Sequence, residues 1–201
     1  MIKVIIVLFI FFALVAIFIA RKYSNKNRKA TEAYQTERVV VDDKVIALDD
    51  VHSVIAPLRW LVSIYDGEKK YENDLKPFTL PQRYVFAIQW YADEVYNGGH
   101  HQFYFNSTGI VWADALKGFE VIGAESNAAI IRESVNRMGG NPSKDRGQRC
   151  EALDELEPDF EDLDDAFYND DSYRELLHAY IRENASAFYF DGEVKVPKLN
   201  K

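Results

Sequence analysis

Beyond the N-terminal quarter of the chain, apolar residues recur every three or four positions, which is the spacing of one face of an α-helix. The first such pattern begins at Val51, is interrupted by Pro57, which predicts a kink or a late start, and ends at Gly67. The charged stretch 67–78 predicts a loop. Residues 39–48 (VVVDDKVIAL) fit a strand or a helix equally well, so periodicity leaves their structure open.

The longest predicted helix begins at Thr79. Thr79 and Gln82 have the spacing of a capping box, and Pro81 lies in the first turn, where a missing N–H costs little. Gly98 predicts the end of this helix, because glycine readily adopts the left-handed conformation that stops a helix. A short aromatic segment, residues 100–106, follows it.

Three further helices complete the pattern. Two of them cover residues 110–122 and 125–138, and residues 139–149 (GGNPSKDRGQR) then predict a surface loop. The last helix begins at Ser172, whose spacing to Glu175 is that of another capping box. The predicted fold class is therefore all-α, with a compact multi-helix soluble domain.

A different pattern opens the chain, because residues 4–20 carry no polar side chain. This run approaches the ~20 residues that cross a bilayer. Residues 1–22 therefore predict an N-terminal transmembrane helix. A basic juxtamembrane linker (23–48), the soluble domain (49–190) and a polar tail (191–201) are expected to follow.

A cleaved signal peptide is the alternative interpretation of this N-terminus. Its apolar region would be about 7–15 residues long and would be followed by a small-residue cleavage site. Here Arg21 and Lys22 follow the apolar run directly. Five basic residues lie just behind the run and one, Lys3, lies before it, so the positive-inside rule places the domain in the cytoplasm. The expected location is a bacterial inner membrane, crossed once.

The remainder of the chain is strongly acidic. All 32 acidic residues fall within residues 30–201, against 18 basic ones, which gives a net charge of −14 there. Such a charge repels nucleic acid and favours a basic protein partner. The lone Cys150 excludes an intramolecular disulfide, and we interpret it as a small, partly buried apolar side chain.

No familiar catalytic signature is present: the sequence has no P-loop, dinucleotide-binding glycine pattern, His-Glu-x-x-His or nucleophile elbow. The adjacent His100 and His101, with Glu94, are the only candidates for a metal or catalytic site. Neighbouring residues on a helix point about 100° apart, and metal sites need three or four convergent ligands. We expect no catalytic residue, metal or cofactor, with one histidine packed and the other in solvent.

The stretch 94–109 (EVYNGGHHQFYFNSTG) predicts a structural corner rather than an active site. Gly98 and Gly99 permit positive φ and a close approach of the backbone. Gln102 and Asn106 can bond the backbone groups that a turn leaves free.

This stretch resembles the signature of a bacterial helical family, the DNA-mimic-protein domain, whose members carry an NGGFxQFFxNSxG-like run. The matching residues are Asn97, Gly98, Gly99, Gln102, Phe103, Asn106, Ser107 and Gly109. His100 stands where the family usually has phenylalanine. The resemblance spans roughly residues 50–190, without the anchor, and implies a helical fold and mimicry of DNA.

Residues 151–175 hold twelve acidic side chains and one base, Arg174. Acids three or four positions apart on a helix lie ~5–6 Å from one another, which approaches the spacing of phosphates on one nucleic-acid strand. The candidate partner-binding residues are Asp159, Glu161, Asp162, Asp164 and Asp165. The alternative is a solvated acidic face that only keeps the protein soluble.

The expected function is that of a non-enzymatic, membrane-anchored interaction protein. Its acidic helical domain would bind a basic protein partner, as the resemblance to DNA mimics implies, and would bind no nucleic acid directly. A membrane-held inhibitor or immunity protein against a toxin is one alternative. An uncharacterised enzyme or metal-binding protein that uses His100, His101 and Glu94 is another. The sequence leaves the oligomeric state open, a homo-oligomer included.

Overall fold

The computed structural model describes residues 33–198, which form two strands, eleven α-helices and one 3₁₀-helix. The strands are β1 (Tyr34–Val41) and β2 (Phe190–Pro197). The helices are α1 (Asp43–Ile46), α2 (Val51–Val54), α3 (Ala56–Leu61), α4 (Glu68–Leu75), α5 (Leu80–Phe105), the 3₁₀-helix (Ser107–Val111), α6 (Trp112–Val121), α7 (Glu125–Arg137), α8 (Arg146–Leu156), α9 (Glu161–Tyr168), α10 (Tyr173–Glu183) and α11 (Ala185–Phe188).

The all-α prediction is wrong, because β1 and β2 pair in a two-stranded sheet. The N–H of Lys198 donates to the carbonyl of Ala33, and the Arg38 guanidinium bonds the Asp191 carboxylate at 2.7 and 2.5 Å, so the strands run antiparallel. Each strand finds its partner at the opposite end of the domain sequence. A local apolar pattern therefore could not decide the structure of residues 39–48.

The chain divides into two compact units. Of the described residues, the smaller unit contains 33–37 and 193–198, which are the outer ends of the two strands. The larger unit contains 38–192 and carries every helix of the described part of the chain.

The predicted membrane anchor, residues 1–22, lies outside the described residues. Within residues 33–198, no helix combines the length and the apolar character that crossing a bilayer requires.

The core of the larger unit is arranged around α5, which packs against α6, α8 and α9. The fully buried ring of Tyr91 meets Phe103, Phe119 and Phe167 edge-on, with centroids 5.0, 5.6 and 5.2 Å away. Such edge-to-face pairs add about 0.5–1.5 kcal/mol each beyond the apolar area that they bury. The capping box at the start of α5 is confirmed, with both bonds between Thr79 and Gln82 present.

The predicted stop of this helix at Gly98 is wrong. Gly98 has φ −170°, and it is Gly99 that adopts positive φ, at +73° with ψ −178°. The chain then returns to helical geometry as far as Phe105, so the aromatic segment expected to follow the helix instead continues α5 beyond a kink. Two consecutive glycines out of the helical range bend the helix without ending it.

The other boundaries confirm or correct the pattern one by one. Helices α6 and α7 confirm the expected helices over 110–122 and 125–138. The expected loop 67–78 instead contains α4, and α8 begins inside the expected loop 139–149. The second capping box is wrong, because the Ser172 hydroxyl bonds Asp170 and makes no cap bond to α10.

Candidate functional site

The kink in α5 is held by a carboxylate from α9. Oδ1 of Asp164 accepts the backbone N–H of His100 at 2.8 Å, which satisfies a donor at the start of the second half of α5. A Cβ placed on Gly99 would meet the Asp164 carboxylate, with Cγ only 2.9 Å away. Glycine is therefore required at position 99 by its positive φ and by the closeness of α9.

The side chain of His100 is fully buried and is hydrogen-bonded at both ring nitrogens. Nδ1 lies 2.5 Å from Oδ1 of Asp164, and Nε2 lies 2.6 Å from the hydroxyl of Tyr91. Burial raises the pKa of Tyr91, so its hydroxyl keeps the proton. A neutral imidazole that donates from Nδ1 to the carboxylate would accept this hydroxyl at Nε2. A phenylalanine at position 100 could make neither bond.

His101 lies on the surface and stacks on Phe105, with ring centroids 6.3 Å apart. The expectation of one packed and one solvated histidine is confirmed. Glu94 bonds two side-chain amides, because its Oε2 accepts hydrogen bonds from Gln102 and Asn106, both at 2.9 Å. The expectation that these two amides bond the free backbone groups of the turn is therefore wrong.

His100, His101 and Glu94, the three side chains of the enzyme alternative, thus contact different partners. Among residues 33–198, no group of three or more His, Cys, Asp or Glu side chains is placed to hold a metal ion. The geometry consequently offers that alternative no shared site.

The C-terminal end of α5 is held by a buried arginine that the sequence analysis missed. Arg149 is fully buried, and its guanidinium donates to the carbonyls of Tyr104, Asn106, Ser143 and Lys144 at 2.7–3.0 Å. Burial lowers the pKa of this guanidinium to about 10, so it stays charged at neutral pH. A cation at this position complements the negative end of the helix dipole.

The position of this arginine explains why residue 109 of the signature stretch is glycine. A Cβ on Gly109 would lie 2.6 Å from Nε of Arg149 and 2.8 Å from the carbonyl oxygen of Phe103. The only sequence signal for Arg149 was its place three positions after Arg146, which is a helical spacing. That spacing was not interpreted as helical because residues 139–149 were predicted to form a loop.

The signature residues therefore occupy one structural corner. Gly99 and Gly109 permit close approaches, Gln102 and Asn106 bond Glu94, and Phe103 is buried in the core. The other three have surface or half-buried positions: Asn97 and Gly98 are exposed, and Ser107 begins the 3₁₀-helix.

The five candidate acidic residues do not form one uniform face. Asp164 turns inward to His100, and Asp162 forms a bidentate pair with Arg137 at 2.5 and 2.8 Å. Oδ1 of Asp159 accepts the backbone N–H of Glu161.

The remaining two carboxylates, those of Glu161 and Asp165, are exposed and form no ion pair within residues 33–198. The partner-binding role of the five residues stays a prediction.

Seen over its whole length, the acidic run differs from the rest of the described surface. Of the twelve acids in residues 151–175, Asp162 pairs with Arg137 and Asp164 bonds the ring of His100, and none of the others forms a salt bridge with a described residue. Elsewhere acids commonly pair with bases, as Asp114 does with Arg83. The single base of the run, Arg174, lies over the rings of Tyr96 and Tyr173 instead.

The unpaired, exposed acids of α8, of α9 and of the segment between them form what we call the acidic strip. Its members are Glu151, Asp154, Glu155, Glu157, Asp159, Glu161 and Asp165. In α8, Glu151 lies three and four positions before Asp154 and Glu155, and in α9 Glu161 lies four positions before Asp165, spacings that place the Cβ atoms ~5–6 Å apart. The strip therefore presents seven exposed carboxylates that form no salt bridge within residues 33–198.

Comparison with known families adds one match. Residues 76–184 match the model of a family described as DMP19-like protein, and this range includes the kink, Arg149 and the acidic strip. No curated protein and no solved structure matches the chain.

Proposed function

The chain belongs to the DMP19-like protein family, and from that premise we propose that it is a non-enzymatic protein whose acidic strip occupies the DNA-binding surface of a basic protein. The partner is a protein that carries lysine and arginine side chains where it contacts DNA phosphates. The strip replaces those phosphates with carboxylates. A protein of this charge binds no nucleic acid itself.

The observation that carries the proposal is the lack of internal partners along the acidic strip. Exposed acids that pair with internal bases, as Asp49 does with Arg182, present little net charge to another molecule. The carboxylates of the strip have no such pairing within residues 33–198. They stay available to an external base, and their number makes binding sensitive to salt.

The test is capture of DNA-binding proteins by the immobilised full chain, kept in mild detergent because its first twenty residues are so apolar. The probe is the protein fraction of a bacterial extract that elutes from DNA-cellulose. We expect capture that falls with salt and that is displaced by duplex DNA. A variant with Glu151→Gln, Glu155→Gln, Glu161→Gln and Asp165→Asn should capture about tenfold less, since each exposed charge contributes about 0.2–1 kcal/mol.

The matched control removes four charges elsewhere, by changing Glu37, Glu125, Glu183 and Glu193 to glutamine. All four side chains are exposed and form no salt bridge among the described residues. Equal loss of capture in the two variants would mean that net charge alone attracts these proteins, and the proposal would be abandoned. Both variants should melt close to the unchanged chain, because exposed substitutions usually alter stability by less than about 0.5 kcal/mol.

A further inference from the structure

Three shallow surface depressions adjoin the corner that the signature residues form. The first is lined by Glu94, Asn106, Ser107 and Arg146, among others. The second shares Asn106 with the first and is otherwise lined by Gly98, His101, Gln102 and Phe105. The third shares His101 with the second and reaches Leu153, Asp154 and Glu157. Neighbouring depressions share a lining residue, so the three adjoin one another, and together we call them the groove.

One end of the groove carries an oriented cation. Nε of Arg146 donates to the carbonyl of Phe105 at 2.8 Å, and the guanidinium lies over the Phe105 ring, 4.8 Å from its centroid. Arg146 nevertheless forms no salt bridge with any of the acids in residues 33–198, even though Glu94 lines the same depression. Its terminal nitrogens are held in place and are free for the carboxylate of another molecule.

The middle of the groove is aromatic. The rings of His101 and Phe105 stack with an interplanar angle of 16°, and Phe105 leaves 45% of its surface exposed. An apolar side chain of a partner that covered this exposed part of the ring would remove apolar surface from water.

The far end of the groove is acidic. Asp154 and Glu157 are exposed there beside the buried Leu153, and neither carboxylate forms a salt bridge within the described part of the chain. The groove therefore runs from a cation, over an aromatic pair, to two anions.

We propose that the groove binds an extended segment of a protein partner that carries an acidic residue, then an apolar residue, then a basic residue. The spacing follows from α8, because Arg146 and Asp154 are separated by two and a quarter turns, or about 12 Å at ~1.5 Å per residue. An extended chain advances ~3.3 Å per residue, so the acid and the base lie about four positions apart. Side chains at alternate positions share a face, which places the apolar residue midway, over His101 and Phe105.

This groove goes beyond the proposed charge mimicry, since it recognises an order of side chains and contains Arg146, which a DNA mimic does not need. It gives the exposed part of the signature stretch a role that packing does not explain.

The experiment is selection of random heptapeptides displayed on phage against the immobilised full chain. We expect enrichment of peptides with an acid and a base four positions apart and an apolar residue between them. For a synthesised peptide of that pattern, Arg146→Gln should weaken binding about tenfold, as loss of a charged hydrogen bond does. The double variant Asp154→Asn/Glu157→Gln should remove the preference for the base and keep the preference for the acid. The matched control Glu125→Gln/Glu183→Gln should leave both preferences unchanged.

Absence of any enriched pattern, or the same enrichment on the groove variants as on the control, would overturn the proposal. The two ends are changed separately, so a folding defect in one variant, seen as a lowered melting temperature, leaves the other as the test. Failure here is separable from failure of the charge mimicry. The variant of Glu151, Glu155, Glu161 and Asp165 should keep peptide binding, and Arg146→Gln should keep capture of the DNA-cellulose fraction.

Discussion

The kink at Gly99 allows a prediction whose size follows from the structure. Replacing Gly99 by alanine places a side chain at φ +73° and ψ −178°, a region that is essentially restricted to glycine and costs about 1–3 kcal/mol. The new Cβ also displaces the Asp164 carboxylate, which accepts both the N–H and the ring Nδ1 of His100. A hydrogen bond to a charged group contributes about 1.5–3 kcal/mol, so the strain and the loss of one such bond together cost about 2.5–6 kcal/mol.

A loss of this size is a large part of the free energy of unfolding of an ordinary domain, which is about 5–15 kcal/mol. For a domain of this length, each kcal/mol lost lowers the melting temperature by roughly 2–4 °C. We therefore expect Gly99→Ala to lower the melting temperature by roughly 10 °C, measured by circular dichroism, and to lower the midpoint in urea. Two glycines serve as controls. Gly123 has φ +80° with nothing near its Cβ position, so Gly123→Ala should show the backbone strain alone. At Gly98 the Cβ would meet the amide end of Gln102 and lie 3.1 Å from the Cβ of Gln102. The amide end can swing away, so Gly98→Ala should cost about 1 kcal/mol through the loss of the hydrogen bond from Gln102 to Glu94.

A Gly98→Ala variant that is less stable than Gly99→Ala would refute this reasoning. That result is expected if Gly98 is the left-handed residue, as the sequence predicted. If Gly99→Ala lowered the free energy of unfolding no more than Gly123→Ala does, the reasoning would also be refuted, because the contact with Asp164 would then contribute nothing to stability. The Asp164→Asn variant extends the test. In that background the carboxylate bonds are already weakened, so the further cost of Gly99→Ala should fall towards the strain alone.

Three further predictions concern α5, its C-terminal end and the acidic surface. Thr79→Ala should lower the free energy of unfolding by about 1 kcal/mol in urea titrations, since it removes the capping bond at the start of α5. Arg149→Met should lower it by about 3–5 kcal/mol, because four carbonyls lose their buried donor, and a change below about 1 kcal/mol would contradict that. The Arg137 guanidinium holds the pKa of Asp162 and of Glu133 below their ordinary values. The ionised carboxylates therefore stabilise the fold above pH ~4.5, and this stabilisation is lost as the pH falls and they become protonated. Arg137→Gln should therefore make the melting temperature less sensitive to acid below pH ~4.5, and an unchanged pH profile would show that the pair contributes nothing.

The predicted helices that survived were those whose signals are local. The capping box of Thr79 and Gln82 closes within one turn, and the helices over 110–122 and 125–138 bury faces that repeat along their own sequence. The Ser172 capping box failed for a local reason too, since a competing acceptor, Asp170, takes its hydroxyl. The sheet could not be predicted because its two strands are far apart in the sequence.

The candidate site divides in the same way. The sequence located the acidic run and the corner, because charge composition and glycine pairs are visible without coordinates. It could not separate Asp164, which bonds His100, from Asp165, which is exposed, since only the docking of α9 against the kink makes them different. The spacing of Arg149 to Arg146 did not reveal its burial either, because its four carbonyl partners come from other parts of the backbone.

By itself the sequence determined that residues 76–184 belong to a largely helical, strongly acidic domain, because amphipathic spacing and net charge are properties of short stretches. Only the tertiary structure decided where the long helix bends, which acids stay unpaired, and that the domain includes a sheet. Those features depend on which distant groups meet: a carboxylate from α9 at Gly99, a guanidinium from α8 at the end of α5, and two strands from opposite ends of the described chain.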